Sequence, residues 1–385
     1  MTPRSRIAVL QVPPFDPHRA LGGAEAITVD VVRELSAEHD VTVLTGYRQY
    51  ERERTPLAGV RVLDAFPLDE HVRMRGHISP RFTTTAHSVL ERANLVLTVE
   101  RSLADPPPAP RLVTLGGVAY PHTLDILHHR AWDRLVVPSN FVADQITARV
   151  PAVDGVTVIS NGIDTALFRP LPTPRDNDQV RVLLPARPVA EKGFHSALAL
   201  VTALRQSAIP AVLTCVDQPD GLDGSGMLSR AGEIDPTALE IVPWQPREQM
   251  PQLYARCHLT VCLSTVPEGF GLVTAESIAC GTPVLANPTG FLSQMLPPDH
   301  GLHLIDPNAP PTAWIPQVRE ALTCGRHRAQ SKGRPLIAAR YGQGRMRSEF
   351  ARLTTSLLSE QNASPAADNA RRQEPSGHSI GSWEP

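Results

Sequence analysis

The sequence predicts an α/β protein of two doubly wound domains, and three observations carry that prediction. Apolar runs of strand length alternate with helical stretches in both halves of the chain. The first unit reads strand, glycine pair, helix, strand, which is a right-handed parallel crossover. Between the halves, the stretch up to Asp178 is rich in Pro and Asp, the composition of a linker. At 385 residues the chain is long enough to give each domain its own core, with expected bounds of 1–168 and 178–340.

In chain order, Ile7–Leu10 is the first buried strand. Pro13, Pro14 and Pro17 make a loop that Gly22-Gly23 closes. An amphipathic helix follows, with Ala24, Ile27, Val31 and Leu35 on one face, and Val41–Leu44 is the second strand. Val60–Leu63, Leu95–Val99, Arg111–Leu115, Leu135–Ser139 and Val156–Ile159 are further strands, and a helix is expected at Asn140–Arg149. Asp69–Pro80, with His71 and His77, reads as a mobile loop over a cleft. Asn161-Gly162 marks a tight turn, and Asp176-Asn177-Asp178 falls in the linker, where solvation explains it better than a metal. In the second half, strands are expected at Val180–Leu184, Val212–Val216, Glu240–Val242, Leu259–Leu263, Val284–Ala286 and Leu302–Ile305, with a helix at Met250–Arg256. The polar tail 361–385 is expected to be disordered. In open sheets of this kind a ligand sits at the carboxyl ends of the strands.

Composition excludes several classes. A net charge of −2 argues against wholesale nucleic-acid binding. No apolar run approaches a membrane span, which leaves only peripheral membrane contact open. The five cysteines form no Cys-x-x-Cys and sit mostly in apolar runs, so buried free thiols and a reducing, cytoplasmic setting are expected. No signal-peptide core precedes Ile7. Gly22-Gly23 lacks the Gly-x-Gly-x-x-Gly of a dinucleotide site. No resident metal or other cofactor is expected, because no His/Cys cluster has ligand spacing.

The chemistry concentrates in two stretches. Pro267 to Glu276 holds two glutamates eight positions apart, Glu268 and Glu276, around Gly269-Phe270-Gly271. A strand precedes this turn, and a helix from Leu272 to Cys280 follows it, stopped by Gly281 and Pro283. Strand, glycine turn and helix start make an anion site, since free N–H groups and the positive end of the dipole face the turn. Carboxylates there accept paired hydrogen bonds from vicinal hydroxyls, which suits a phosphorylated sugar or nucleoside. The second stretch follows strand Val180–Leu184: Arg187 lies just past the strand, and Lys192 lies five residues on. These two cations can clamp a diphosphate, Arg bidentately and Lys as a point charge. Lys192 and Lys332 are the only lysines, so a lysine in this place is unlike surface filler.

Asn161-Gly162-Ile163-Asp164 through Phe168 and Pro170, Arg187 with Glu191-Lys192-Gly193, Glu268-Gly269-Phe270-Gly271 with Glu276, and Gly281-Thr282-Pro283-Val284 together resemble the family 4 glycosyltransferases. The resemblance covers about residues 6–358 and is densest in the second half. It implies the GT-B fold: two facing Rossmann-like domains, a nucleotide sugar between them, and a last helix, 343–360, crossing back to the first domain. It implies retaining transfer without a bound metal. Arg187 and Lys192 would hold the donor diphosphate, Glu276 the ribose hydroxyls and Glu268 the sugar. The backbone of Gly269, Phe270, Gly271 and Leu272 would line sugar and phosphate, and Gly22 and Gly23 would approach the diphosphate from the other domain. The family's cleft histidine is replaced here by Gly116-Gly117, so that it is either absent or supplied by His122. Gly290 and Gln294 stand where the family has a Gly-Gly and a Glu, and Ser264-Thr265-Val266 replaces a commoner Pro-Ser. The expected function is transfer of a sugar from a nucleoside-diphosphate donor to a hydroxyl of a small polyhydroxylated or secondary-metabolite acceptor. The alternatives are a nucleotide-sugar epimerase on the same fold and a sugar-nucleotide-binding protein that has lost catalysis.

Overall fold

The computed structural model describes residues 4–12, 15, 22–47, 57–67, 76–78, 81–105, 107–118, 121–151, 153–172, 178–217 and 235–363. Among them, the first half holds β1 (Arg6–Gln11), α1 (Gly23–Glu38), β2 (Asp40–Tyr47), β3 (Val60–Pro67), β4 (His77–Ile78), α2 (Thr84–Arg92), β5 (Leu95–Val99), β6 (Ser102–Leu103), β7 (Arg111–Thr114), α3 (Pro121–His129), β8 (Arg134–Val137), α4 (Asn140–Arg149) and β9 (Val156–Val158). Seven of these strands form a parallel sheet in the order β3-β2-β1-β5-β7-β8-β9. Strand β1 shows why the sequence reads as one apolar run. Ile7 and Val9 enter one core cluster and Ala8 and Leu10 the other, so both faces of the sheet are covered.

The second half holds β10 (Val180–Leu184), α5 (Phe194–Gln206), β11 (Ala211–Val216), β12 (Leu239–Val242), α6 (Met250–Arg256), β13 (Leu259–Cys262), α7 (Leu272–Ala279), β14 (Val284–Ala286), α8 (Leu292–Met295) and β15 (Leu302–Leu304). Its strands form a second parallel sheet in the order β12-β11-β10-β13-β14-β15. Leu183 faces one core cluster and Val182 and Leu184 the other. The strand order reverses between β1 and β5 in the first sheet and between β10 and β13 in the second, and a crevice opens at each reversal. Helical turns then run from Ile315 to Tyr341 with π-turns at Ala321–Gly325 and Ala329–Gly333, and α9 (Gln343–Ala363) ends the described chain. Met346, Phe350, Leu357 and Leu358 of α9 are buried in the core of the first sheet. Among the described residues, no helix is long and apolar enough to cross a membrane.

Several local expectations change. Ile163 and Phe168 are fully buried in the core of the second sheet, although 168 was the expected end of the first domain. Arg334 holds that segment by donating to the carbonyls of Phe168 and Thr165. Gly162 serves close approach rather than a turn: a Cβ there would lie 2.7 Å from Cα of Gln343. Beside it, the amide of Ile163 donates to the carbonyl of Tyr341 and the amide of Gln343 to that of Ile163. Within the Asp69–Pro80 loop, His77–Ile78 pairs as a strand with Ser102–Leu103, while His71 lies outside the described residues. Asp176-Asn177 and the tail from 364 also lie outside them, and residues 361–363, expected in the tail, continue α9.

Candidate active site

The residues that follow β10 and β13 meet at the reversal of the second sheet. Ala190–Lys192 is a single 3-10 turn that Gly193 ends in the left-handed region at φ 80°. The Glu191 carbonyl accepts from the Thr265 amide at 2.9 Å and the Ser264 hydroxyl at 3.2 Å, tying this turn to the segment after β13. Lys192 Nζ thereby reaches Glu268 Oε1 at 2.9 Å, with both side chains about four-fifths buried. Arg187 stands more exposed, its Nη2 3.7 Å from Glu191 Oε1.

Gly271, at φ 88°, starts α7 and leaves the first amides of that helix facing the turn. The Phe270 side chain plays no part in lining the cleft. It is buried, stacked on Phe291 at 5.7 Å and edge-on to Tyr341 at 5.3 Å, so only its backbone is placed to meet a ligand. Glu276 is also more enclosed than a ribose-binding carboxylate at a helix surface would be. Its Oε1 lies 3.0 Å from Arg247 Nη2, and its Oε2 accepts from the Tyr254 hydroxyl at 3.1 Å. Burial pushes the Glu276 carboxyl above its ordinary value, while Arg247 and the Tyr254 hydrogen bond pull it back. The Arg247 guanidinium in turn lies over the Phe168 ring, 5.3 Å from its centroid.

The first sheet closes the other side. Gly22 precedes α1, its amide donating to Glu25 Oε2 at 2.9 Å. A Cβ on Gly23 would lie 2.7 Å from Leu272 Cδ1, so the starts of α1 and α7 are apposed. A Cβ on Gly269 would lie 1.8 Å from the carbonyl oxygen of Gly116, a backbone approach that only glycine permits. The Ser139 hydroxyl donates to the Gly269 carbonyl at 2.6 Å while accepting from the Val142 amide at the start of α4. His122, in the first turn of α3, has Nε2 3.7 Å from Glu100 Oε2.

Lys192 and Glu268 thus meet beside the Gly269–Leu272 turn, against which the facing domain sets Gly23 and the Gly116 carbonyl; Arg187 lies by Glu191, Glu276 by Arg247 and Tyr254, and His122 by Glu100. Sequence reasoning missed Arg247, Glu100 and Ser139. Arg247 had a signal: an arginine ahead of α6 opposes the helix dipole, which implies a partner elsewhere. Among the described residues, no three His, Cys, Asp or Glu groups are placed to hold a metal ion.

Residues 172–334 match the family model described as "Glycosyl transferases group 1". A D-inositol 3-phosphate glycosyltransferase of Thermobispora bispora is 31% identical over 223 residues, 53% of this chain and 51% of that protein. The chain therefore spans about half the length of that relative. Among solved structures, the sucrose-phosphate synthase of Thermosynechococcus elongatus superposes with a TM-score of 0.72 at 20% identity, covering 93% of this chain and all of the other. Anabaena HepE in complex with UDP-glucose superposes at 0.69 and 17% identity, covering 91% and 99%. These two share the fold across both domains, and the residues around Lys192 and Glu268 fall inside the matched family segment. Residues 172–334 thus carry sequence similar to the group 1 glycosyltransferases, and the chain as a whole has the GT-B fold of these solved structures.

Proposed function

We propose that this protein moves a sugar, with retention of anomeric configuration, from a nucleoside-diphosphate donor to a hydroxyl of a small polyhydroxylated or secondary-metabolite acceptor. The Lys192–Glu268 pair at 2.9 Å carries the reading. Glu268 fixes the ammonium as a point charge where a diphosphate would lie, and the carboxylate has acceptor capacity for sugar hydroxyls. Breaking the anomeric C–O bond leaves the electron pair on the diphosphate. Lys192, Arg187 and the start of α7 would stabilise that growing charge, an effect of ~10²–10³ in rate for a single donor group. The acceptor oxygen attacks from the face that the diphosphate leaves, and its proton passes to a leaving phosphate oxygen. This route needs no second carboxylate as nucleophile, and the fixed cations take the role that a metal would otherwise have.

The relative named for D-inositol 3-phosphate supports a polyhydroxylated acceptor, and the UDP-glucose held by HepE puts UDP-glucose first on a donor panel. The test incubates the protein with UDP-, GDP- and dTDP-sugars and soluble acceptors, inositol phosphates included. NMR of the product is expected to show the anomeric configuration of the donor. An inverted product would overturn the mechanism. Conversion of the donor alone into an isomeric sugar would replace transfer by epimerisation, and donor binding without turnover would leave only a binding protein.

A further inference from the structure

Glu100 stands at the carboxyl end of β5, next to β1 where the first sheet reverses. Its φ is 54°, the left-handed region, where a side chain is strained. The other described non-glycine residues with positive φ are Arg130 and Ala208, just past helices, and Asp299 in a turn. Glu100 alone among them faces the cleft residues. Its neighbours hold the strained backbone in place. The Glu100 amide donates to the Thr114 carbonyl at 2.9 Å, Arg101 Nη1 donates to the Glu100 carbonyl at 2.5 Å, and the Thr98 hydroxyl donates to the Arg101 carbonyl at 2.6 Å.

The strain places the carboxylate. Oε1 accepts from the Gly116 amide at 2.5 Å, and Oε2 lies 3.7 Å from His122 Nε2. A Cβ on Gly116 would sit 2.8 Å from that same Oε1, so glycine at 116 is what admits the carboxylate. The Gly116 carbonyl, one peptide on, is the group pressed against Gly269, the neighbour of Glu268. One side chain thus connects the end of β5, the Gly116-Gly117 turn, the imidazole of His122 and the seam with the sugar-side turn. We propose that Glu100 is a positioning residue for the transfer proposed above. It fixes the Gly116-Gly117 turn and, with Oε2 3.7 Å from His122 Nε2, sets where the imidazole sits at the cleft. The proposal rests on that functional reading.

Glu100→Gly separates positioning from backbone strain, because glycine adopts φ 54° without strain while the side chain and its carboxylate are removed. The variant is expected to unfold at the wild-type temperature or above and to bind the nucleoside diphosphate with unchanged affinity. Its kcat should fall about 10²-fold, the scale of a catalytic geometry displaced by an ångström. Glu100→Gln, which can still accept from Gly116, is expected to recover part of that loss. Adding Glu100→Gly to His122→Gln should cost much less than the product of the two single effects, since the groups act through each other. Near-normal kcat in Glu100→Gly, or fully multiplicative single effects, would overturn the role given to Glu100 while leaving the transferase reading intact. A wild-type protein that turns over no donor would overturn that reading, and this proposal with it.

Discussion

Lys192 is one of two lysines in a chain whose other side-chain cations are nearly all arginines, and it is the one paired with Glu268. Lys192→Ala is expected to lower turnover by ~10²-fold or more in a folded protein, because the leaving diphosphate loses a fixed charge; near-normal rates would remove Lys192 from the mechanism. The two glutamates are expected to divide the donor between them. Glu276→Gln should weaken the nucleoside diphosphate and the full donor alike, by the ~1.5–3 kcal/mol of a charge-assisted bond. Glu268→Gln should spare diphosphate affinity and impair turnover, which calorimetry and initial rates would show side by side. Glu276 also gives a pH dependence. Burial holds its folded-state pKa above the usual value of 4.5, so its ionisation costs stability above the folded pKa, and that cost is lifted as pH falls through it. Protonation of Glu276 is therefore expected to weaken diphosphate binding on the acid side while relieving that cost to the fold. Subtracting the Glu276→Gln profile isolates this effect from the titration of the phosphate itself, and identical profiles would remove Glu276 from the site. The sequence singled out Arg187, Lys192 and Glu268 because each follows a strand that the apolar runs mark, and Glu276 because it lies in the helix after the Gly269-Phe270-Gly271 turn. Arg247, Glu100 and Ser139 were not legible in it, because their roles are contacts between distant positions: Ser139 and Gly269 are 130 residues apart.

At the scale of elements, glycines set how closely the turns can approach. Gly193 combines φ 80° with a Cβ position 2.2 Å from the Leu263 carbonyl oxygen. Gly193→Ala is expected to cost ~1–3 kcal/mol in denaturant unfolding, and to displace Lys192, the preceding residue. Gly269→Ala acts differently, since its clash is with the carbonyl of Gly116 in the facing domain. It is expected to depress turnover far more than unfolding stability. A variant with unchanged turnover would show that the Gly116–Gly269 approach is dispensable. The buried parallel strands were readable because both their faces are apolar, whereas α2 and α3 were not assigned. Helix α3 is nine residues long and carries His122, His128 and His129, which blurs its apolar stripe. The pairing of β4 with β6 involves two residues on each strand, too short a run for any periodicity to announce it.

At the scale of the molecule, the described residues form two large sheets, and the C-terminal helix packs on the first of them. Phe350 is 2% exposed in the core of the first sheet, although it is far along the chain from that sheet's last strand. Phe350→Ala is expected to cost ~3–5 kcal/mol and to destabilise the first domain chiefly, which hydrogen exchange resolved by domain would show; uniform loss of protection would contradict it. The alternation of strands and helices made the two-sheet plan legible, whereas the last helix's return was visible only through family resemblance. No local pattern tells a helix which sheet it will join. The chain passes between the domains once near Ile163 and once near Gly342, and these crossings are paired to each other: Ile163 bridges to Gly342, flanked by the hydrogen bonds to Tyr341 and from Gln343. Two strands of chain laced side by side behave as a hinge with one axis rather than as a loose tether. Rotation about that axis has to part Ser139 from Gly269, Gly116 from Gly269 and Gly23 from Leu272 in a single movement. Admission of a bulky donor and release of its product would then be one cooperative opening, with its barrier set by how those contacts fail together.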